Sequence, residues 1–284
     1  MKRQVSTAIL AIAMAAVLAG AQGPTQFHAG FNLFSKDQDI QAGKEYAAEV
    51  RKQKPVINDP VLTAYVNRVG QRLVSSREAQ ESGFPFTFEV VADPSINAFA
   101  LPGGPMFIQT GLLRAVDNEA QLAGLMGHEM SHVILRHGTN QASKAQLIQL
   151  PAILGSQVAG NSMIGKLAQA GIGLGAGSVL LKFSRSAESQ ADLMGSHLMA
   201  EAGYDPVQLA HFFEKLNTEG GHGGGVAQFF SDHPNPDNRE RAIEQEAERL
   251  PAQNYGYQTG DFARMKQAVA RIHEKPPAPP TQPQ

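Results

Sequence analysis

The 284-residue chain contains no cysteine, which excludes disulfide bonds, thiolate metal ligands and lipid attachment at a cysteine. The fold must therefore be stabilised by burial of its core. Its 42% hydrophobic and 18% charged residues are the ordinary composition of a globular protein. This length accommodates one sizeable domain or two small ones.

The chain also lacks a large excess of either charge and has no basic cluster. Its 24 lysine and arginine residues face 26 aspartate and glutamate residues, for a formal net charge of −2 at pH 7. No nucleic-acid partner is expected, because proteins that bind nucleic acid carry a basic patch or stripe. No internal repeat is visible, which argues against a tandem helical array.

No uninterrupted apolar run reaches the roughly 20 residues that a membrane-spanning helix needs. The first run, Ala8–Ala19, follows Lys2 and Arg3 and precedes a small-residue cleavage site that ends at Ala21. This pattern predicts a cleaved signal peptide over residues 1–21, with an uncleaved anchor as the alternative. The mature protein is expected to be periplasmic or secreted, with a net charge of −4 once the two basic residues are removed.

Residues 147–181 form a second apolar stretch that is rich in glycine. Polar side chains interrupt every window of spanning length, at Gln157, Asn161, Lys166 and Gln169. We expect one part of this stretch to be a core helix and another part to be a mobile cover. The alternative is a surface that contacts a membrane peripherally, because exposed apolar patches often mark partners or lipid.

The pentapeptide His128-Glu129-Met130-Ser131-His132 lies in a predicted helix from about Asn118 to His137. Two histidines four residues apart lie about 40° apart around a helix, so both imidazoles can reach one zinc ion. Glu129, beside the first histidine, can hold a water against that ion. The pattern predicts a hydrolytic metal centre, with two surface histidines on an ordinary helix as the alternative.

A catalytic zinc site needs a third protein ligand. A metzincin would have glycine and histidine where this chain has Leu135 and Gly138. His137 is nine residues after His128, so on a continuous helix it would point about 180° away and could not share the ion. The third ligand must therefore come from another element.

Glu188 is the best candidate for that ligand. It begins a second predicted helix, Ser184 to about Ala202, on which Glu188 and Asp192 share one face. The first could bind the metal while the second accepts a hydrogen bond from a ligand imidazole, most simply that of His128. This is the gluzincin arrangement; a solvated acidic face is the alternative.

Four segments of the chain resemble the CAAX-prenyl-protease and heat-shock-protease type of zinc metallopeptidase, peptidase family forty-eight of the metallopeptidases. They occur in the family's order and are Asn97–Gly104, His128–His137, Ser184–Asp192 and His233-Pro234 with Arg239. The resemblance implies an α+β, mostly helical, gluzincin-type fold with a small sheet beside the active-site helix. It also implies one zinc ion per chain and polypeptide substrates.

The periodicity of the remaining sequence predicts the other elements. Helices are expected at 36–52, 59–76, 205–216 and 237–250, and strands at 86–90, 98–101 and 106–109. The peptidase domain is expected to span residues 22–273, and the proline-rich residues 274–284 are expected to be disordered. His222, in a glycine-rich loop, is discounted as a metal ligand.

The resemblance also assigns roles to side chains. Glu129 would be the general base, and the strand formed by Asn97, Ala98, Phe99 and Ala100 would bind an extended substrate, although a plain hairpin is the alternative. His233 has three interpretations: an oxyanion stabiliser, a fourth zinc ligand that displaces water and keeps the enzyme latent, or a structural residue near Arg239.

The expected function is a zinc-dependent endopeptidase for exported proteins, in envelope protein quality control. The alternative is a chaperone-like or scaffold protein with a latent, self-plugged zinc site. The general base Glu129 favours an enzyme, because a structural zinc site does not use one. An aminopeptidase would need an acidic exopeptidase motif that is absent from the sequence. The sequence assigns no oligomeric state.

Overall fold

A computed structural model describes residues 23–153, 174–175, 178–179, 183–219, 224–235 and 238–273 of the chain. The predicted signal peptide, the proline-rich tail, His222 and most of residues 147–181 lie outside the described residues. Among the helices that are described, none is long and apolar enough to cross a membrane.

Within the described residues the protein has eleven helices and a three-stranded sheet, as the predicted mostly helical α+β class requires. The helices are α1 (Lys36–Gln53), α2 (Pro60–Val74), α3 (Arg77–Ser82), α4 (Thr110–Ala115), α5 (Glu119–Ile134), α6 (His137–Ile153), α7 (Arg185–Glu201), α8 (Val207–Glu219), α9 (Gly224–Asp232), α10 (Arg239–Arg249) and α11 (Phe262–Ala270). The predicted fold class is confirmed.

The sheet contains β1 (Thr87–Val91), β2 (Ala98–Ala100) and β3 (Pro105–Gln109) in the order β1-β3-β2. β1 pairs in parallel with the central strand β3, and β2 pairs antiparallel with its other side. A separate two-stranded ladder joins β4 (Leu174–Gly175) to β5 (Ser178–Val179). The strand pair expected on either side of the Pro102-Gly103-Gly104-Pro105 turn is therefore present.

The turn between β2 and β3 depends on glycine because it adopts positive φ and is packed closely by α1. Gly103 and Gly104 have φ values of 79° and 118°, a region that side chains with a Cβ rarely adopt. A Cβ on Gly43 of α1 would lie 2.0 Å from the carbonyl oxygen of Pro102. The turn is thus fixed from one side by α1 and from the other by the sheet.

Helix α5 begins where the sequence predicts, because the Asn118 side chain accepts a hydrogen bond from the Gln121 N–H at 2.9 Å. It ends earlier than predicted, at Ile134, so the expected continuous helix to His137 is wrong. Arg136 adopts a left-handed conformation with φ 57°, and His137 starts the new helix α6.

The left-handed Arg136 is held by contacts with residues distant in the sequence. Its Nε donates to Asp39 Oδ2 at 2.6 Å, and its Nη2 donates to the carbonyl oxygen of Phe34 at 2.6 Å. A partly buried ion pair and a backbone contact thus offset the cost of this conformation, which is of order 1–3 kcal/mol for a residue with a Cβ.

Helices α5 and α7 approach closely through glycine. A Cβ on Gly195 of α7 would lie 3.0 Å from the backbone nitrogen of His128, and one on Gly127 would lie 3.3 Å from the Gly195 carbonyl oxygen. The two helix backbones are therefore in close contact at Gly127 and Gly195. Gly124 instead meets the side chains of Leu209 and Met199.

One helix was not predicted. The sequence predicts a glycine-rich loop between the helices at 205–216 and 237–250, yet this region contains α9, Gly224–Asp232. Val226 and Phe229 of α9 are buried in the main hydrophobic core, which gives this segment an apolar face despite its glycine-rich start. Tertiary packing therefore overrides the weak local helix propensity.

We predict that Gly43→Ala destabilises the protein, because the new methyl group would overlap the Pro102 carbonyl oxygen. Overpacking of this kind typically costs about 1–3 kcal/mol, which exceeds the gain in helix propensity. Gly256→Ala is the matched control, since a Cβ there meets no atom within 4 Å. Urea denaturation of both variants checks the prediction; a Gly43→Ala midpoint equal to that of the control contradicts it.

Candidate metal centre

Four buried side chains converge at one point: His128 and His132 of α5, Glu188 of α7, and His233, which follows α9. One potential ligand atom from each lies within 4.8 Å of the others. The two Nε2 atoms of the α5 histidines are 3.1 Å apart. Glu188 Oε2 lies 3.3 Å from His128 Nε2 and 3.5 Å from His233 Nδ1. Its other oxygen, Oε1, lies 3.5 Å from His132 Nε2.

Local structure explains the placement of the first three donors. The two histidines are four residues apart on the buried helix α5, so they lie on the same face. Ser184 caps the start of helix α7, because its side chain accepts a hydrogen bond from the Ala187 N–H at 3.2 Å. That start places Glu188 in the first turn, facing the histidines.

Unpaired polar atoms indicate that this cluster is built to hold a ligand. Glu188 Oε1 and His233 Nδ1 are both buried, and neither has a hydrogen-bond partner. A buried polar atom without a partner costs about 1–3 kcal/mol, so such atoms are rare unless a ligand or ion satisfies them. Both atoms belong to the convergent donor set, which a metal ion would complete.

The charge of the buried groups also indicates a site for a cation. Glu129, Glu188 and Asp192 are all at least 95% buried, and Arg239 is the buried guanidinium that contacts this group. With all three carboxylates ionised the group carries an uncompensated charge of −2, and isolated buried charge is strongly unfavourable. A divalent cation bound by imidazole and carboxylate, the ligands that zinc takes, would balance it.

Asp192 orients His128. Its Oδ1 lies 2.8 Å from His128 Nδ1, so the ring donates its Nδ1–H and turns the Nε2 lone pair toward the cluster. Burial opposes a charge on His128, but Asp192 and Glu188 outweigh it and raise the pKa of this histidine to about 10 in the absence of metal. The structure thus places Asp192 against the histidine that the sequence suggested.

Arg239 holds both carboxylates of α7. Its Nε donates to Asp192 Oδ2 at 2.7 Å, and its Nη2 donates to Asp192 Oδ1 at 2.9 Å and to Glu188 Oε2 at 3.1 Å. The guanidinium also lies over the Phe213 ring, 3.8 Å from its centroid. Sequence reasoning missed this role, although the spacing of Arg239 from His233-Pro234 was the signal that could have revealed it.

His137 contacts the cluster from the side, so the prediction that it points away is wrong. Because the helix breaks at Arg136, the His137 Nδ1 lies 2.9 Å from His132 Nδ1, and its Nε2 lies 3.1 Å from Gln190 Oε1. Burial lowers the pKa of His137 to about 4. His137 is nevertheless not one of the four convergent donors found among the described residues.

Glu129 sits between the cluster and the sheet. Its Oε2 accepts a hydrogen bond from the Ala100 N–H at 3.1 Å, and its Oε1 lies 3.5 Å from His233 Nε2. Burial raises the pKa of the Glu129 carboxyl. A carboxyl with a raised pKa beside a metal centre has the properties of a general base that both takes and returns a proton.

The expected substrate strand runs past this carboxyl. β2 pairs with β3 on one side, and among the described residues no further strand pairs with its other side. Phe99 stacks on Phe107 of β3 with ring centroids 5.3 Å apart. Asn97, just before the strand, donates to Asp232 Oδ2 at 2.9 Å, and Asp232 directly precedes His233. The strand and the His233 segment are therefore joined.

His233 itself is packed rather than solvated. It is 5% exposed, and its ring stacks on Phe229 of α9 with centroids 5.1 Å apart. Both of its nitrogens face carboxylates of the cluster, at 3.5 Å from Glu188 and 3.5 Å from Glu129. The previously unpredicted helix α9 therefore carries this histidine into the centre.

Comparison with known proteins gives consistent matches. The model of peptidase family M48 matches residues 60–247, which include all four convergent donors. The chain is 33% identical to the beta-barrel assembly-enhancing protease of Escherichia coli K12 over 213 residues, 73% of this chain and 43% of that protein. It is 34% identical to the putative beta-barrel assembly-enhancing protease of Vibrio cholerae over 222 residues, 76% of this chain and 45% of that protein.

A mitochondrial relative extends the similarity. The mitochondrial metalloendopeptidase OMA1 of Schizosaccharomyces pombe is 32% identical over 228 residues, 80% of this chain and 64% of that protein. By contrast, the chain spans less than half the length of the two bacterial relatives, as their coverages of 43% and 45% show. The family model covers more than half of the chain and includes the segments that carried the resemblance, so the chain belongs to peptidase family M48.

Proposed function

We propose that this chain is a zinc-dependent endopeptidase that hydrolyses peptide bonds in exported proteins. The observation that carries the proposal is the buried convergence of His128, His132 and Glu188, with the carboxyl of Glu129 beside them. Membership of a family of metallopeptidases supports the same activity. A purely structural zinc site would have no use for the buried Glu129.

In this proposal His128, His132 and Glu188 hold one zinc ion per chain. When bound, zinc lowers the pKa of a water to about 7 from 15.7 and polarises the scissile carbonyl. Glu129 accepts the proton of the attacking water at a carboxylate oxygen and returns it to the leaving amine. Its hydrogen bond from the Ala100 N–H fixes Oε2, and the other oxygen, Oε1, lies 3.5 Å from His233 Nε2 of the cluster.

The substrate would lie along β2 as a further strand. Within the segment of Asn97, Ala98, Phe99 and Ala100, the edge of β2 that faces away from β3 pairs with no further strand among the described residues. Main-chain hydrogen bonds to that edge would supply affinity that depends little on substrate sequence. The contact of Glu129 with Ala100 would then align the general base with the substrate backbone. Such binding suits a protease that acts on polypeptides of varied sequence.

We assign His233 to the latent interpretation rather than to the oxyanion interpretation. Its buried Nδ1 has no hydrogen-bond partner and lies 3.5 Å from Glu188, within the convergent donor set. A fourth protein ligand would occupy the open position that a catalytic zinc site needs for water. Activity would then require the His233 segment to move, and the Asn97–Asp232 contact would link that movement to the substrate strand.

The biological setting is also a proposal. The signal peptide that the sequence predicts supports a periplasmic or secreted location for the mature chain. The names of the bacterial relatives associate those proteins with beta-barrel assembly. Removal of misfolded or misassembled envelope proteins is the role that combines these two observations. Polypeptides are the expected partners. Residues 147–181 are the candidate segment for peripheral membrane contact.

Glu129→Gln should abolish casein cleavage while one zinc ion per chain stays bound, because the amide cannot accept the proton but leaves the three ligands intact. Loss of general-base catalysis typically lowers the rate by about 10²–10⁴-fold. Glu244→Gln, at an exposed position of α10, is the control and should retain activity. Cleavage by Glu129→Gln at the wild-type rate would refute the assignment.

His233→Ala should increase casein cleavage relative to wild type, because it removes the proposed fourth ligand and leaves a position open to water. The oxyanion role predicts the opposite, a loss of activity at constant zinc content. His211→Ala, at an exposed position of α8, serves as the control. The measurement is the cleavage rate per bound zinc, and a reduced rate would contradict the latent interpretation.

A further inference from the structure

We infer that Gln190 and His137 form a hydrogen-bonded relay that fixes the tautomer of His132, so that its Nε2 lone pair faces the metal centre. The inference rests on the proposed zinc site and adds two positioning residues to it. Neither residue belongs to the convergent donor set, and both act through the ring of His132.

The relay is a continuous chain of short contacts. Gln190 Oε1 lies 3.1 Å from His137 Nε2, and His137 Nδ1 lies 2.9 Å from His132 Nδ1. The opposite nitrogen of His132 lies 3.1 Å from His128 Nε2 and 3.5 Å from Glu188 Oε1. The His132 ring therefore connects the relay on one side to the metal centre on the other.

The chemistry of the groups sets the direction of each hydrogen bond. An amide oxygen only accepts, so His137 Nε2 donates to Gln190. A neutral imidazole carries a single N–H, so His137 Nδ1 accepts, and its donor is His132 Nδ1–H. The Nε2 of His132 is then free of a proton, which is the form that binds a metal ion.

Packing holds the ring of His132 in this orientation. Phe183 stacks on it with centroids 3.9 Å apart and planes inclined by 16°, and His137 contacts it edge-on with centroids 5.0 Å apart. The ring is 4% exposed, so water does not compete readily for its Nδ1–H. A half-turn flip of the ring would break the hydrogen bond to His137, and any other rotation would also remove the stacking on Phe183.

The break after α5 makes the relay possible. On a continuous helix His137 would point away from His132, and the left-handed Arg136, held by Asp39 and Phe34, turns it back. The unusual backbone at Arg136 thus has a consequence at the metal centre. The two α5 ligands are oriented by different means: His128 by the carboxylate of Asp192, His132 by a neutral relay.

Nitrogen-15 NMR of the histidine rings tests the tautomers directly, with zinc bound and after chelation. The relay predicts an Nε2–H on His137 and an Nδ1–H on His132 in both states. A reversed tautomer of either ring in the chelated protein would overturn it. This measurement uses the full wild-type chain and needs no substitution.

Zinc affinity, measured by competition with a chelator, tests the energetic consequence. His137→Phe should weaken zinc binding by about 10–100-fold, the usual effect of losing a partner of a ligand imidazole. His137→Asn places an amide oxygen near the position of Nδ1 and should restore most of the affinity. His211→Phe is the control for a histidine lost elsewhere, and equal affinities of His137→Phe and this control would overturn the relay.

Gln190 is exposed, so its substitution is compatible with folding. Two variants of this residue test the other end of the relay. Gln190→Met keeps the length of the side chain and removes the acceptor, so zinc affinity should fall. Gln190→Glu keeps the acceptor and should preserve the affinity. The opposite order of these two variants would contradict the direction of the relay.

Different results would refute the zinc endopeptidase and the hydrogen-bonded relay. A wild-type chain that binds no zinc but shows the predicted tautomers would refute the zinc endopeptidase and support the relay. A chain that binds one zinc ion with the reversed His137 tautomer would refute the relay alone.

Discussion

Three buried carboxylates, two of them paired with one guanidinium, are the constraint on which the site depends. Arg239 neutralises one unit of the charge of Glu129, Glu188 and Asp192, and its hydrogen bonds fix the two carboxylates of α7. The remaining negative charge, in a site closed to solvent, is stable only beside a cation or with protons taken up by the histidines. Against the effect of burial, the carboxylates of Asp192 and Glu188 also raise the pKa of His128 when no metal is bound. Zinc binding would therefore release protons and stabilise the fold.

Close approach of backbone positions the groups that meet this constraint. Glycines at the crossing of α5 and α7 let Glu188 reach His128 and His132, and the turn at Gly103 and Gly104 carries β2 past Glu129. The proposed substrate edge, general base and ligands thus lie on elements whose spacing is set by close backbone contact. The Asn97–Asp232 hydrogen bond adds the His233 segment to this framework.

The sequence predicts those parts of the site whose residues lie a few positions apart on one helix. Two histidines on adjacent turns of one helix, and Glu188 with Asp192 on another, share faces that periodicity reveals. His137 was misplaced because the break at Arg136 depends on Asp39 and Phe34, about a hundred residues earlier in the chain. Helix α9 was missed because its stability comes from burial against the core, which local propensity does not report.

His233 gives the protein its proposed two states, one with the fourth donor in the centre and one with that position open. Both states require the same first three ligands, so the coordination of zinc by His128, His132 and Glu188 is decisive. Anomalous diffraction at the zinc edge from crystals of the zinc-loaded protein measures it most directly. We expect one peak per chain, about 2.0–2.2 Å from the Nε2 atoms of both α5 histidines and from a Glu188 oxygen. A peak bound elsewhere, or none at this cluster, would contradict it.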